Sequence, residues 1–133
     1  MPIWYKNIFA KSDKHKKALV VDFDGTIARD SYPDIGAPMP GVKVSLQKLL
    51  DSGYEIIIFS ARLRKNDGRP DNVVKEQKKD MEAWLKEYEI PHTRIDEGYD
   101  GKPHADYYID NKALHYGGKD DWESIAQHIL SKD

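Results

Sequence analysis

Leu19-Val20-Val21-Asp22-Phe23-Asp24-Gly25-Thr26 is the stretch on which the reading of this chain turns. Leu19 to Val21 is a short apolar, β-branched run of the kind buried in a parallel sheet, and Gly25 suits a sharp exit from a strand. Ionised acids at the end of a buried strand are costly to desolvate unless they bind a cation or do chemistry. A straight strand would carry Asp22 and Asp24 on one face, with Phe23 on the other.

Working outward, Val42, Leu46, Leu49 and Leu50 are spaced as one helix face that Gly53 ends, and Tyr54 to Phe59 reads as a second buried strand closing on Ser60-Ala61-Arg62. A polar loop over 62–72 leads to a long helix striped by Val74, Met81, Trp84, Leu85 and Tyr88, which stops before Pro91. Met81 and Trp84 read as core. His92 to Ile95 is a short strand, Tyr107 to Ile109 another, and Trp122, Ile125, Ala126, Ile129 and Leu130 form the apolar face of a last helix expected to seal the sheet. Residues 27–41 hold Pro33, Gly36, Pro38, Pro40 and Gly41, and so read as a stiff loop leaving the acidic turn, with Arg29, Asp30, Tyr32 and Asp34 near any ligand.

Alternating strands and helices predict an α/β protein with a doubly wound parallel sheet, a three-layer sandwich. Ligands of such sheets bind beyond the carboxyl ends of the strands, and Asp22, Ser60 and Asp110 all fall at predicted strand ends.

The 133 residues suit one domain over 18–133, preceded by a basic and aromatic segment over 1–17 that carries Trp4, Phe9 and a lysine cluster. That segment reads either as a packed terminus or as a docking surface. A formal charge of −2 argues against wholesale nucleic-acid binding. The absence of cysteine excludes disulfides, thiolate metal sites and thiol catalysis. With no membrane-length apolar run and no signal-peptide pattern, a cytoplasmic location is the expectation.

Asp22-Phe23-Asp24-Gly25-Thr26 resembles the first motif of the haloacid dehalogenase (HAD) superfamily of phosphatases and phosphotransferases, and three further motifs follow in its order, at Ser60, Lys102 and Asp110. The resemblance implies a Mg²⁺-dependent phosphomonoester hydrolase with a Rossmann-like core. Asp22 would be the nucleophile that forms an aspartyl-phosphate, and Asp24 the acid/base. It implies Thr26, Ser60, Ala61, Arg62 and Lys102 as phosphate or substrate contacts, and Asp22, Asp24 and Asp110 as metal ligands. Ser60 alternatively caps its turn, and Arg62 alternatively supports the rim. Asp106 is an alternative fourth-motif acid, Asn111 stands where a second acid is common, and His104 and His115 read as structural.

Electrostatics asks for the cation independently. A carboxylate meeting a phosphate at about 4 Å is opposed by roughly 4 kcal/mol per charge pair at an effective dielectric near 20. The gaps between motifs leave no room for an inserted cap domain. An uncapped rim suits a phosphorylated small molecule or nucleotide, a polynucleotide end held by Arg29, Arg62, Arg64 and Lys65, or a second subunit as lid. The alternative is a low-turnover HAD-fold binding or regulatory module. A two-component receiver domain, which shares strand-end acids with Ser/Thr and Lys, needs its phosphoacceptor on a later central strand.

Overall fold

The computed structural model describes residues 17–65, 67–98, 101–113, 115 and 121–132. The expected N-terminal segment over 1–17 therefore lies outside the described residues except for Lys17.

Strand β1 (Ala18–Asp22) is the centre of a four-stranded, wholly parallel sheet with β4 (Glu55–Phe59), β5 (Arg94–Ile95) and β6 (Tyr107–Ile109), in the order β5-β4-β1-β6. The chain builds outward from β1 to β4 and β5, then crosses back to lay β6 on the other side of β1. Strand order thus reverses at β1, so the crevice beyond its carboxyl end is the topological switch point where such sheets take ligands. With helices α1 (Val42–Asp51), α2 (Asp71–Glu87) and α3 (Trp122–Leu130), the described residues form a mixed α/β structure consistent with a Rossmann-like arrangement.

Alternation along the strands divides the core. Leu19, Val21, Ile56 and Ile58 face Leu46 of α1 and Val74, Met81, Trp84 and Leu85 of α2. Both helices therefore share one face of the sheet. Ala18, Val20 and Ile57 face the other way, beside Phe59 and Ala105. Helix α3 starts on an Asp121 cap that accepts from the Ser124 amide at 2.9 Å, yet it buries none of its residues and leaves Trp122 70% exposed. Its expected role of sealing the sheet is not seen among the described residues.

Residues 27–41 depart from the stiff loop that the sequence suggests. After β1 comes one helical turn, in which the Ile27 and Ala28 amides donate to the Phe23 carbonyl at 3.0 and 3.1 Å. A β-hairpin of β2 (Ala28–Ser31) and β3 (Asp34–Pro38) follows. The prolines that argue against a central strand are tolerated because this two-stranded sheet has no interior strand: Pro33 sits in its turn and Pro38 at its end. Trp84 Nε1 donates to Gly36 O at 3.0 Å, binding the hairpin to α2. Gly36 permits a close approach within the hairpin, for a Cβ there would lie 2.4 Å from Arg29 O.

Candidate active site

Strand β1 ends at Asp22, so its two-residue alternation does not extend to Asp24. Phe23 turns into the core, fully buried and edge-on to Trp84 at 5.2 Å, and the helical turn then sends the two carboxylates to different surroundings. Asp22 lines a cavity of about 180 Å³ with Val20, Phe59, Ala61, Lys102, Ile109 and Asp110. The ends of β1, β4 and β6 thus bring together Asp22, Ala61 and Asp110, and the segment before β6 adds Lys102.

Burial, then the charge of Asp110, push the Asp22 carboxyl up to about 6 against the lowering effect of the Phe23 backbone, and the charges of Asp24, which raises it, and Lys112, which lowers it, act more weakly. At neutral pH Asp22 is ionised, and more basic than an ordinary aspartate. Asp110 accepts from the Lys112 amide at 2.7 Å, which closes the turn that leaves β6. Lys102 stands at the cavity edge with its Nζ 5.0 Å from the Tyr108 ring centroid and 6.0 Å from that of Phe59, so two aromatic faces hold the ammonium in place.

Asp24 faces the guanidinium of Arg62. Nε donates to Oδ2 at 2.7 Å and Nη2 to Oδ1 at 2.9 Å, a two-point pairing. The same guanidinium donates to the carbonyls of Pro33 (2.9 Å) and Asp34 (2.8 Å) at the hairpin turn, and lies 4.9 Å from the Tyr32 ring centroid. Arg62 is only 4% exposed. The guanidinium thus spends most of its donors on the protein, which favours rim support, the second of the two readings of Arg62. Both Asp24 oxygens accept from it, so Asp24 has fewer sites left for a metal ion.

Ser60 is buried, and its Oγ accepts from the Arg62 amide at 3.1 Å, capping the 3₁₀ turn Ala61–Leu63. Capping uses an acceptor site and leaves the hydroxyl proton free to donate into the neighbouring cavity that Ser60 lines. Thr26 Oγ1 is buried with no hydrogen-bond partner, and Thr26 is not among the residues lining either cavity. Asp106 lies at the opposite end of the sheet. Its Oδ2 accepts from the Ala18 amide at 2.8 Å while its own amide donates to Ala18 O at 2.9 Å, so it splices the entry of β6 to the start of β1.

Asn111 is the contact that sequence reasoning undervalued. Gly25 has φ +84°, and a Cβ there would lie 2.4 Å from Asn111 Nδ2. The side chain at the fourth-motif position therefore packs directly on the acidic turn, and the glycine is required both for its backbone and for this approach.

The fold is shared with solved bacterial proteins. A conserved protein from Bacteroides thetaiotaomicron is similar at 25% identity, over 90% of this chain and 93% of that one, with a TM-score of 0.55. A crystal structure of a protein from Vibrio cholerae is similar at 24% identity, over 88% of this chain and 99% of that one, with a TM-score of 0.52. No family model and no curated protein matches the sequence.

Among the described residues no three His, Cys, Asp or Glu side chains form a metal-holding group. Mg²⁺ does not require one. It keeps most of its waters and is commonly held by one or two carboxylates together with substrate phosphate. Asp22 and Asp110, mutually repelling on one cavity, are an oxygen donor set of that kind.

Proposed function

We propose that the protein is a Mg²⁺-dependent phosphomonoester hydrolase of the capless HAD type, acting through an aspartyl-phosphate on Asp22. The observation that carries this reading is the meeting of Asp22, Asp110 and Lys102 on one cavity at the switch point of the sheet. We read the core as doubly wound and without a cap. The β1–β4 connection is spent on a hairpin and one helix, and the β4–β5 connection on a 3₁₀ turn and one helix.

Asp22 and Asp110 would hold the metal. Bound there, Mg²⁺ supplies Lewis-acid polarisation of the phosphoryl oxygens and offsets the repulsion between carboxylate and phosphate. Lys102 and the Ser60 hydroxyl bind and orient the phosphoryl group. An Asp22 carboxylate oxygen attacks phosphorus as the bond to the leaving oxygen breaks, and that oxygen takes its proton from Asp24. Water then attacks phosphorus, its proton passes to Asp24, and the bond between Asp22 and phosphorus breaks. Arg62 occupies two acceptor sites on Asp24 and leaves the others for that proton.

The test is hydrolysis of an aryl phosphate by the pure protein, with Mg²⁺ and with chelator, beside Asp22→Asn. Metal-dependent release lost in the variant is expected. Release that survives Asp22→Asn would overturn the mechanism.

The Asp24–Arg62 pair favours a second reading, a low-turnover module that takes up phosphate and releases it slowly. An acid/base gripped by a buried cation is poorly placed to strip a proton from water. A burst of about one aryl alcohol per chain followed by a slow steady state is the outcome expected of that module.

A further inference from the structure

The chemistry above leaves a larger cavity unused. Phe59, Ser60, Arg64, Lys65, Gly98 and Gly101 surround about 470 Å³, within the usual range for a small-molecule site. It shares Phe59, Ala61 and Lys102 with the Asp22 cavity, so the two adjoin along the carboxyl end of β4. Gly98 and Gly101, which follow β5, line one wall, and Gly98 is pressed hard against the 3₁₀ turn: it has φ +79°, and a Cβ there would lie 2.4 Å from Leu63 O.

Charge divides this trough. Asp22 and Asp110 occupy one end, Lys102 the junction, and Arg64 the other end, where no carboxylate appears among the described lining residues. The described acids that follow β5 are engaged elsewhere. Asp96 accepts from the Gly98 amide at 3.0 Å, and Glu97 pairs with Lys78. A reacting phosphate over Asp22 would therefore have, on the leaving-group side, a cationic space able to hold a second anion.

Resting on the phosphatase reading of Asp22, we infer that this second cavity binds a second phosphate of the same small molecule. The substrate class is then a small bisphosphate, one phosphate hydrolysed at Asp22 and the other held beside Arg64. Arg64 acts as a specificity residue. It adds affinity for the doubly charged ligand and nothing to a monophosphate of the same skeleton.

Calorimetric binding to the full chain carrying Asp22→Asn, so that ligand is not consumed, tests this with two ligand pairs: adenosine 3′,5′-bisphosphate against adenosine 5′-monophosphate, and fructose 1,6-bisphosphate against fructose 6-phosphate. At least one bisphosphate should bind about tenfold or more tightly than its monophosphate. Arg64→Ala should remove that advantage and Arg64→Glu reverse it, with monophosphate affinity unchanged. Lys43→Ala, a charge removed from an exposed ion pair on α1, should leave the advantage intact. Equal affinities in both pairs, no binding of any of the four ligands, or an advantage that survives Arg64→Glu would overturn the inference. The aryl phosphate assay run beside it separates the two proposals. Metal-dependent hydrolysis without bisphosphate preference refutes the second cavity alone, and bisphosphate preference without hydrolysis refutes the phosphatase reading alone.

Discussion

Replacing Arg62 by alanine should destabilise the fold more than any other single loss of a charge at the rim. The substitution strands the Asp24 carboxylate, 21% exposed, without the two charge-assisted bonds it now accepts, and frees the Pro33 and Asp34 carbonyls. Those carbonyls belong to exposed residues at a hairpin turn and can take up water, so their share is small. The carboxylate cannot do so fully. Removing one partner of a buried pair costs about 3 to 5 kcal/mol, and the partial access of water to Asp24 argues for the lower end, about 3 kcal/mol. Against a total stability of about 5 to 15 kcal/mol this is a large loss. Arg62→Lys keeps the charge without the fork and should cost roughly half as much. Urea unfolding at pH 7 in chelator, followed as the midpoint at constant slope, is the assay. Combining Arg62→Ala with Asp24→Ala should recover about 2 kcal/mol relative to the sum of the single losses. Lys43→Ala is the control. Its pair with Glu89 is as short, at 2.8 Å, but lies in solvent, and the midpoint should scarcely move. A cost below about 1 kcal/mol for Arg62→Ala, or strict additivity with Asp24→Ala, would refute the reasoning.

Because the Asp22 carboxyl is raised from 3.8 to about 6, the folded state binds more protons than the unfolded state between those values, and stability should fall as pH rises through that window. Full burial would make the fall about 3 kcal/mol; with partial solvent access about 2 kcal/mol is expected, measured by urea unfolding in chelator at pH 4 and pH 8. Asp22→Asn should flatten this dependence and be the more stable protein above pH 6. Gly25→Ala faces both a left-handed φ and Asn111 Nδ2 at 2.4 Å, whereas Gly41→Ala, at φ +77° with nothing within 4 Å, faces only the backbone cost. Thermal unfolding should show a loss of about 1 kcal/mol for Gly41→Ala and at least twice that for Gly25→Ala, with Asn111→Ala restoring part of the difference. Asp106→Ala should cost about 1 kcal/mol in urea and leave aryl phosphatase kcat/KM unchanged, since its partner Ala18 lies at the far end of the sheet from Asp22.

The elements built from periodic apolar residues were legible in the sequence. The helix stripes at Val42–Leu50 and Val74–Leu85 fall where burial demands them, because in each the apolar spacing and the nearby Gly or Pro stop signals agree, and the strand Tyr107–Ile109 forms where its apolar run predicts although its residues are exposed. The hairpin over 28–38 was not legible, since Pro33, Gly36 and Pro38 are breakers in a central strand and acceptable in a two-stranded ribbon. Only the tertiary bonds from Trp84 and Arg62 distinguish the two cases. The positions of Asp22, Ser60 and Asp110 followed from their place at strand ends and that of Lys102 from the resemblance, while the partner of Asp24 followed from neither. Arg62 lies 38 residues away on another strand's exit, and nothing in its local sequence says whether the guanidinium turns inward or out. Asp106 misled for the opposite reason. Its spacing from Asp110 suggests a pair, but three strand residues separate the two ends of β6 and place the acids at opposite edges of the sheet.

The distribution of charge at the rim also decides which acid is fit for which task. Three carboxylates crowd the switch point, and among the described residues only Asp24 is held in an ion pair, by an arginine sealed from solvent. Asp22 and Asp110 are left facing each other across a cavity, and Lys102 stands at its edge, held by aromatic rings. On the proposed chemistry a nucleophile must approach phosphorus with an oxygen unencumbered, a condition that Asp22 meets and Asp24 does not. The Arg62 fork fixes the orientation of Asp24 and at the same time leaves it fewer sites for a proton, which is what divides the two proposed readings. Burial, and then the charge of Asp110, raise Asp22, so a cation held by the two carboxylates would relieve the second of these, and on the proposed reading Mg²⁺ should raise the unfolding midpoint as well as support turnover.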